Sequence, residues 1–246
     1  ETECQAARKI INSGITPINI VRFFEVPDED DENPYWIVMD WIHGAPMSEN
    51  HLGGKLDVFK TIAIISSITS AIKMLKDNGV NYLDIHPSNI ILRDEIYPTL
   101  IDPAACLPRF CPPEWSGIAV TDILKLLSSE VEVGQVFLIA NLMLDIIFTK
   151  SGDTPLGEAL DSFAAGHFEN EPNDYEDDAG LVLLQEKTQD YLRMHHTSRS
   201  RIPEPDIEKF SSQLASLLYY STSKHPEDRP STLDSFNDSL QNLMRY

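Results

Sequence analysis

The sequence predicts an α+β fold in which a small strand-bearing part precedes a larger, mainly helical one. Three observations carry this. β-Branched and aromatic runs occur early, at 18–26 and 35–39. Long apolar helical patterns follow at 57–78 and 131–148, with further helical patterns at 181–192, 206–221 and 233–244. Among them lies a polar loop with a hairpin, Tyr82-Leu83-Asp84-Ile85-His86-Pro87-Ser88-Asn89-Ile90-Ile91-Leu92, closed by Leu100-Ile101-Asp102.

Residues 1–11 place Ala6, Ala7 and Ile10 at helical spacing, and Asn12-Ser13-Gly14 stops the helix. The strand over 18–26 leads through acidic residues 28–32 to a second strand over 35–39. The helix over 57–78 puts Phe59, Ile62, Ile65, Ile68, Ile72 and Leu75 on one stripe and ends at Asn78-Gly79. Arg93-Asp94-Glu95 and Pro98 are turn material between the two apolar runs of the hairpin. The helix over 131–148 is apolar all round, as a helix enclosed by others must be. From 153 to 205 the sequence loosens, and His195-His196 reads as a surface turn. The last helix, 233–244, follows Ser231, a good N-cap.

The 246 residues can bury one sizeable core or two small lobes. The net charge of -20 argues against nucleic acid or an anionic membrane as partner. Much of it sits in two solvated runs, 28–32 and 169–178. Cys4, Cys106 and Cys111 have neither metal-ligand spacing nor an even-numbered disulfide framework. A reduced, cytoplasmic or otherwise intracellular setting is the expectation, with no signal peptide visible. The apolar run at 131–148 is interrupted by Glu132, Gln135, Asn141 and Asp145, which favours a buried helix over a membrane span. The chain begins at Glu1 rather than Met, which leaves room for residues upstream.

Asp84, Asn89 and Asp102, brought together by one small hairpin, suit an oxygen-ligand site for Mg²⁺ on a phosphorylated substrate. One acid left free of metal can accept a hydroxyl proton.

This stretch resembles the catalytic loop and metal-binding segment of the protein-kinase-like superfamily, whose pattern is His-Arg-Asp, four residues, Asn, then Asp-Phe-Gly. The resemblance implies a two-lobe fold, with residues 1–42 a partial N-lobe and 43–246 a C-lobe carrying an acidic insert around 169–178. It implies Asp84 as the catalytic Asp that accepts the hydroxyl proton, and Asn89 and Asp102 as metal ligands for ATP with Mg²⁺. Asp40-Trp41-Ile42-His43-Gly44 resembles the hinge that bonds adenine, with backbone contacts from Asp40 and Ile42 and Met39 guarding the pocket behind. Core filling is an equal reading of Met39. Glu3, or else Glu1, matches the helix Glu that pairs a phosphate-binding Lys, although a solvated acid in a first turn reads the same way. Cys111-Pro112-Pro113-Glu114-Trp115 looks like the Ala-Pro-Glu that closes the activation segment. Lys224-His225-Pro226-Glu227-Asp228-Arg229-Pro230 looks like the late Pro-x-x-Arg-Pro signature, implying a buried ion pair between Arg229 and Glu114.

Departures from the pattern bear on activity. Tyr82 and Leu83 replace His and Arg, Pro103-Ala104 replaces Phe-Gly, and Gln135 stands where an Asp anchors the catalytic loop. His86 replaces a Lys, as in aminoglycoside-phosphotransferase-like kinases. No Gly-x-Gly-x-x-Gly with a matching Lys occurs in these residues, and only residues 103–113 separate Asp102 from Glu114. The reading that follows is an ATP- and Mg²⁺-dependent phosphotransferase acting on Ser/Thr hydroxyls of a protein substrate. The alternatives are a pseudokinase that recruits or regulates a protein partner and, less favoured, a small-molecule kinase.

Overall fold

A computed structural model describes residues 3–14, 18–27, 36–50, 56–102, 112–115, 117–147, 178–195, 202–223 and 225–246. Within these the chain is a mostly helical α+β protein with two small antiparallel sheets. The residues 103–111 and the acidic run before Asp178 lie outside them.

Helix α1 (Glu3–Asn12) buries Ala6, Ala7 and Ile10 and packs against β1 (Phe23–Glu25). β1 pairs with β2 (Val38–Met39), Phe23 opposite Met39. Both strands are shorter than the apolar runs at 18–26 and 35–39 predict. The cause at the first is Asn19, whose φ of 62° breaks the extended run, and Ile20 then forms only an isolated parallel bridge to Leu100. That bridge ties the segment after α1 to the hairpin, reinforced by Val21 N–H to Leu100 O and Leu100 N–H to Asn19 O, each 2.9 Å.

The hairpin is β4 (Ile90–Arg93) and β5 (Tyr97–Leu100), joined to β3 (Ala45–Pro46) in the order β3-β4-β5. Asp94 and Glu95 both adopt left-handed backbone, as the tight reversal requires. Pro98 is not turn material after all: it sits inside β5, opposite Leu92. It is tolerated because β5 is an outer strand of its sheet, where a missing N–H costs no ladder bond. Gly44 lets the chain before β3 pass close to β4, since a Cβ there would lie 2.4 Å from Leu92 O. The short helix α2 (Met47–Asn50) follows β3.

Helix α3 (Val58–Asp77) begins at Asp57, whose Oδ1 accepts from the N–H groups of Phe59 (2.8 Å) and Lys60 (3.3 Å). It ends as Gly79 turns to φ +76° and its N–H bonds Lys76 O. Its length and apolar composition would let it cross a membrane, but most of it is buried inside the fold. It packs against β5, α5 (Ser128–Ile147) and α8 (Leu233–Leu243). Five Ile side chains, Ile62, Ile64, Ile65, Ile68 and Ile72, are fully buried, and each such burial contributes roughly 1.5–3 kcal/mol.

Helix α4 (Val120–Ile123) precedes α5. The buried residues of α5 cover its circumference, and they include the acid Glu132. Glu132 Oε1 accepts from Leu233 N–H at 2.7 Å, and Oε2 meets Lys76 Nζ, so one carboxylate joins α3, α5 and α8. Helix α6 (Asp178–His195) packs on α7 (Glu204–Ser221), which also contacts α5 and α8. His195 is thus the end of a helix, and His196 lies outside the described residues. The N-cap of α8 is Thr232, one residue later than Ser231. Thr232 Oγ1 accepts from Ser235 N–H at 3.0 Å and Ser235 Oγ answers Thr232 N–H, a reciprocal box that Ser231 cannot form.

Candidate functional site

The loop before β4 is organised by the Asp84–Asn89 pair. Residues 87–89 form a 3-10 turn that points Asn89 back along the loop, and both side chains are buried. Asn89 Nδ2 donates to Asp84 Oδ2 at 2.9 Å and to Asp84 O at 3.2 Å. Both amide hydrogens are therefore spent on one residue, and the remaining capacity of the side chain is its Oδ1 acceptor. His86 caps the turn: its Nδ1 accepts from Ser88 N–H at 3.2 Å. The other ring nitrogen, Nε2, lies 3.4 Å from Asp84 Oδ2.

The residue before Asp102 is tied to this loop. Ile101 N–H donates to Asn89 O at 3.0 Å, and Ile101 O accepts from Tyr82 Oη at 2.6 Å. Asp102 itself is half-buried with φ +51°, a left-handed backbone that Asp tolerates better than most residues. Such strain is held only where its surroundings over-determine it. Gln135 of α5 fixes the start of the loop: its fully buried Nε2 donates to Tyr82 O at 3.0 Å. Its Oε1 is buried and has no hydrogen-bond partner among the described residues.

Glu3, in the first turn of α1, lies near Asp102. Burial, and after it the negative charge of Asp102, push the Glu3 carboxyl above its ordinary value. A carboxyl with a raised folded-state pKa contributes stability below the ordinary carboxyl range and loses it as pH rises through the raised value. Glu3→Gln is therefore expected to raise the melting temperature modestly at neutral pH and to leave it unchanged near pH 3, where both states are protonated. Melting curves at the two pH values check this, and identical curves at neutral pH would contradict it.

The hinge-like residues are placed differently from one another. Met39 is 46% exposed, so core filling does not describe it. Asp40 is exposed and its N–H donates to Arg22 O at 2.9 Å, which leaves its carbonyl as the backbone atom able to meet a ligand. Ile42 is half-buried and packs against the core. Glu1 lies outside the described residues.

Far along the chain, Arg229 and Glu114 meet. Arg229 Nη1 donates to Glu114 Oε1 at 2.5 Å and Nη2 to Oε2 at 3.0 Å, a two-point fork. Arg229 Nε donates to Ser223 O at 2.7 Å, and the guanidinium lies 4.6 Å from the centre of the Phe137 ring. Next to Glu114, Trp115 is buried against Gly134 of α5, where a Cβ would come within 2.0 Å of the indole.

Side-chain hydrogen bonds thus bring Asp84 and Asn89 together, and a backbone bond ties Ile101, the residue before Asp102, to Asn89, while Glu3 is close enough to feel the charge of Asp102. Two contributors were not read from the sequence as such. In the sequence Tyr82 reads as a departure, not as the hydroxyl that holds Ile101. His86 reads as a substitution, not as a turn cap set against Asp84. A Tyr and a His flanking an acid in an otherwise apolar run are the signal for both. Among the described residues no three His, Cys, Asp or Glu side chains cluster as a ready-made metal site.

The class that the fold defines is a mostly helical α+β protein with a buried Asp–Asn loop beside a hairpin. No protein-family model matches the chain, and no curated protein is significantly similar to it.

Proposed function

We propose that the chain is a protein-kinase-like domain that binds ATP with Mg²⁺ and transfers phosphate to a Ser/Thr hydroxyl of a protein substrate. In this reading residues 1–42 are a partial N-lobe and 43–246 the C-lobe. The observation that carries it is the commitment of both Asn89 amide hydrogens to Asp84, which turns Oδ1 into the group's available ligand atom. With the Asp102 carboxylate this makes two hard oxygen donors. Mg²⁺ binds through one or two protein oxygens plus waters and substrate phosphates rather than in an all-protein cage.

When bound, the metal supplies charge neutralisation at the phosphate oxygens. The chain's own residues do the rest. Asp84 orients the acceptor hydroxyl and takes its proton. Asn89 holds the Asp84 carboxylate in place, with the His86 ring beside it. Gln135 and Tyr82 fix the loop at both ends. The Asp40 carbonyl and the backbone of Ile42 bond the adenine edge, with Met39 beside it. Glu3 pairs a Lys of the phosphate-binding strand.

A second reading, a pseudokinase acting as a binding module, has one observation in its favour. Phe24, Trp36, Val38, Met39 and Trp41 are all exposed along the β1–β2 ribbon, Trp41 by 82%. Apolar surface gathered in this way marks an interaction site. A thermal-shift titration separates the two readings. ATP is expected to raise the melting temperature, and Mg²⁺ to enlarge the rise, because a ligand of the folded state stabilises it by about 2.7 kcal/mol at a hundredfold excess over Kd. No metal-dependent rise would overturn the enzyme reading.

A further inference from the structure

A concavity lies beside the Arg229–Glu114 pair, with a volume of about 490 Å³. Its apolar wall is built by Trp115, Ile118, Leu126 and Val133. Two carboxylates rim it from different elements: Glu130 at the start of α5, and Glu227 in the 3-10 turn at 226–228. Both are exposed, and among the described residues neither is paired with a Lys or Arg. Glu130 Oε2 accepts from Leu127 N–H at 2.7 Å, which fixes the position of that carboxylate. Among the described residues the Glu227 carboxylate approaches His225, at 3.9 Å. The third acid of the lining, Glu114, is neutralised by Arg229.

An apolar hollow with negative charge on two walls selects a ligand that is apolar in the middle and cationic at both ends. We propose that this groove docks a segment of a partner polypeptide in which bulky aliphatic side chains are flanked on both sides by Arg or Lys. The charge argument also disfavours a second copy of this chain as occupant. The chain carries 39 acidic against 19 basic residues, so two copies repel. The groove shares no lining residue with the Asp84 loop.

The probe is a fluorescein-labelled hexapeptide, Arg-Arg-Leu-Leu-Arg-Arg, titrated with the protein in the absence of nucleotide and followed by anisotropy. Saturable binding is expected, weakened at least tenfold by the double variant Glu130→Gln and Glu227→Gln. The amide at 130 can still accept from Leu127 N–H, so the fold is kept. A matched variant, Glu208→Gln with Asp238→Asn, removes two exposed charges elsewhere and is expected to bind as the parent does. Replacing both leucines of the probe with glycine is expected to abolish saturable binding. The proposal is overturned if the probe does not saturate, if the matched variant weakens it equally, or if the glycine probe binds as well. Because no nucleotide is present, such a failure leaves the reading of the Asp84 loop standing.

Discussion

Arg229→Ala is expected to lower the folding stability by about 3 kcal/mol, the lower end of the 3–5 kcal/mol seen when one member of a buried ion pair is removed. Arg229 is almost fully buried, whereas the Glu114 side chain is 28% exposed and can recover some hydration once its partner is gone. That asymmetry sets the lower end. Three further contacts are lost with the guanidinium: the second prong to Glu114, the bond to Ser223 O, and the stacking on Phe137. Arg229→Lys keeps the charge but cannot form the fork, and is expected to fall between the two. For a chain of this size the alanine variant should melt about 6–12 °C lower. Urea unfolding measures the same quantity directly, and a loss under about 0.5 kcal/mol would mean that the pair is ornamental.

The second large effect concerns chemistry. Under the proposed function, Asp84→Asn is expected to slow phosphate transfer by about 10²–10⁴-fold, the usual worth of a positioned proton acceptor. The substitution is nearly isosteric, and its carbonyl oxygen can still accept from Asn89 Nδ2, so the loop keeps its shape. What it loses is the ability to take a proton and the charge facing His86 Nε2. ATP should therefore still raise the melting temperature of the variant as it does that of the parent. Single-turnover transfer from radiolabelled ATP to Ser/Thr peptides reads the rate. Equal rates in the two proteins would remove Asp84 from the reaction.

Much of the helical part is legible in the sequence because its signals are local. Asp57 ahead of an apolar stripe and Gly79 behind it mark α3 to within a residue. The all-round apolar character of α5 foretells its enclosure. The strands are less legible, because their ends are set by pairing across the chain. The apolar run at 18–26 gives no sign that Asn19 turns left-handed or that Ile20 will meet Leu100. Glu132 is a local contradiction in an apolar helix, and its resolution comes from Lys76 and Leu233, both far away in the chain. The same holds at the candidate site. The spacing of Asp84 and Asn89 is visible in one dimension, yet which atom of the amide remains for a ligand depends on the fold of the 3-10 turn. Met39 shows the limit of residue type: its composition fits a core, and its position on a two-residue strand leaves it exposed.

The central claim is that Asn89 and Asp102 hold one metal ion on a bound nucleotide. The most direct measurement is the increment that Mg²⁺ adds to the ATP-induced rise in melting temperature, compared between the parent chain and Asp102→Asn. The account predicts a clear increment in the parent and none in the variant, with the metal-free response to ATP similar in both. An undiminished increment in Asp102→Asn would contradict it, since the ion would then be held elsewhere.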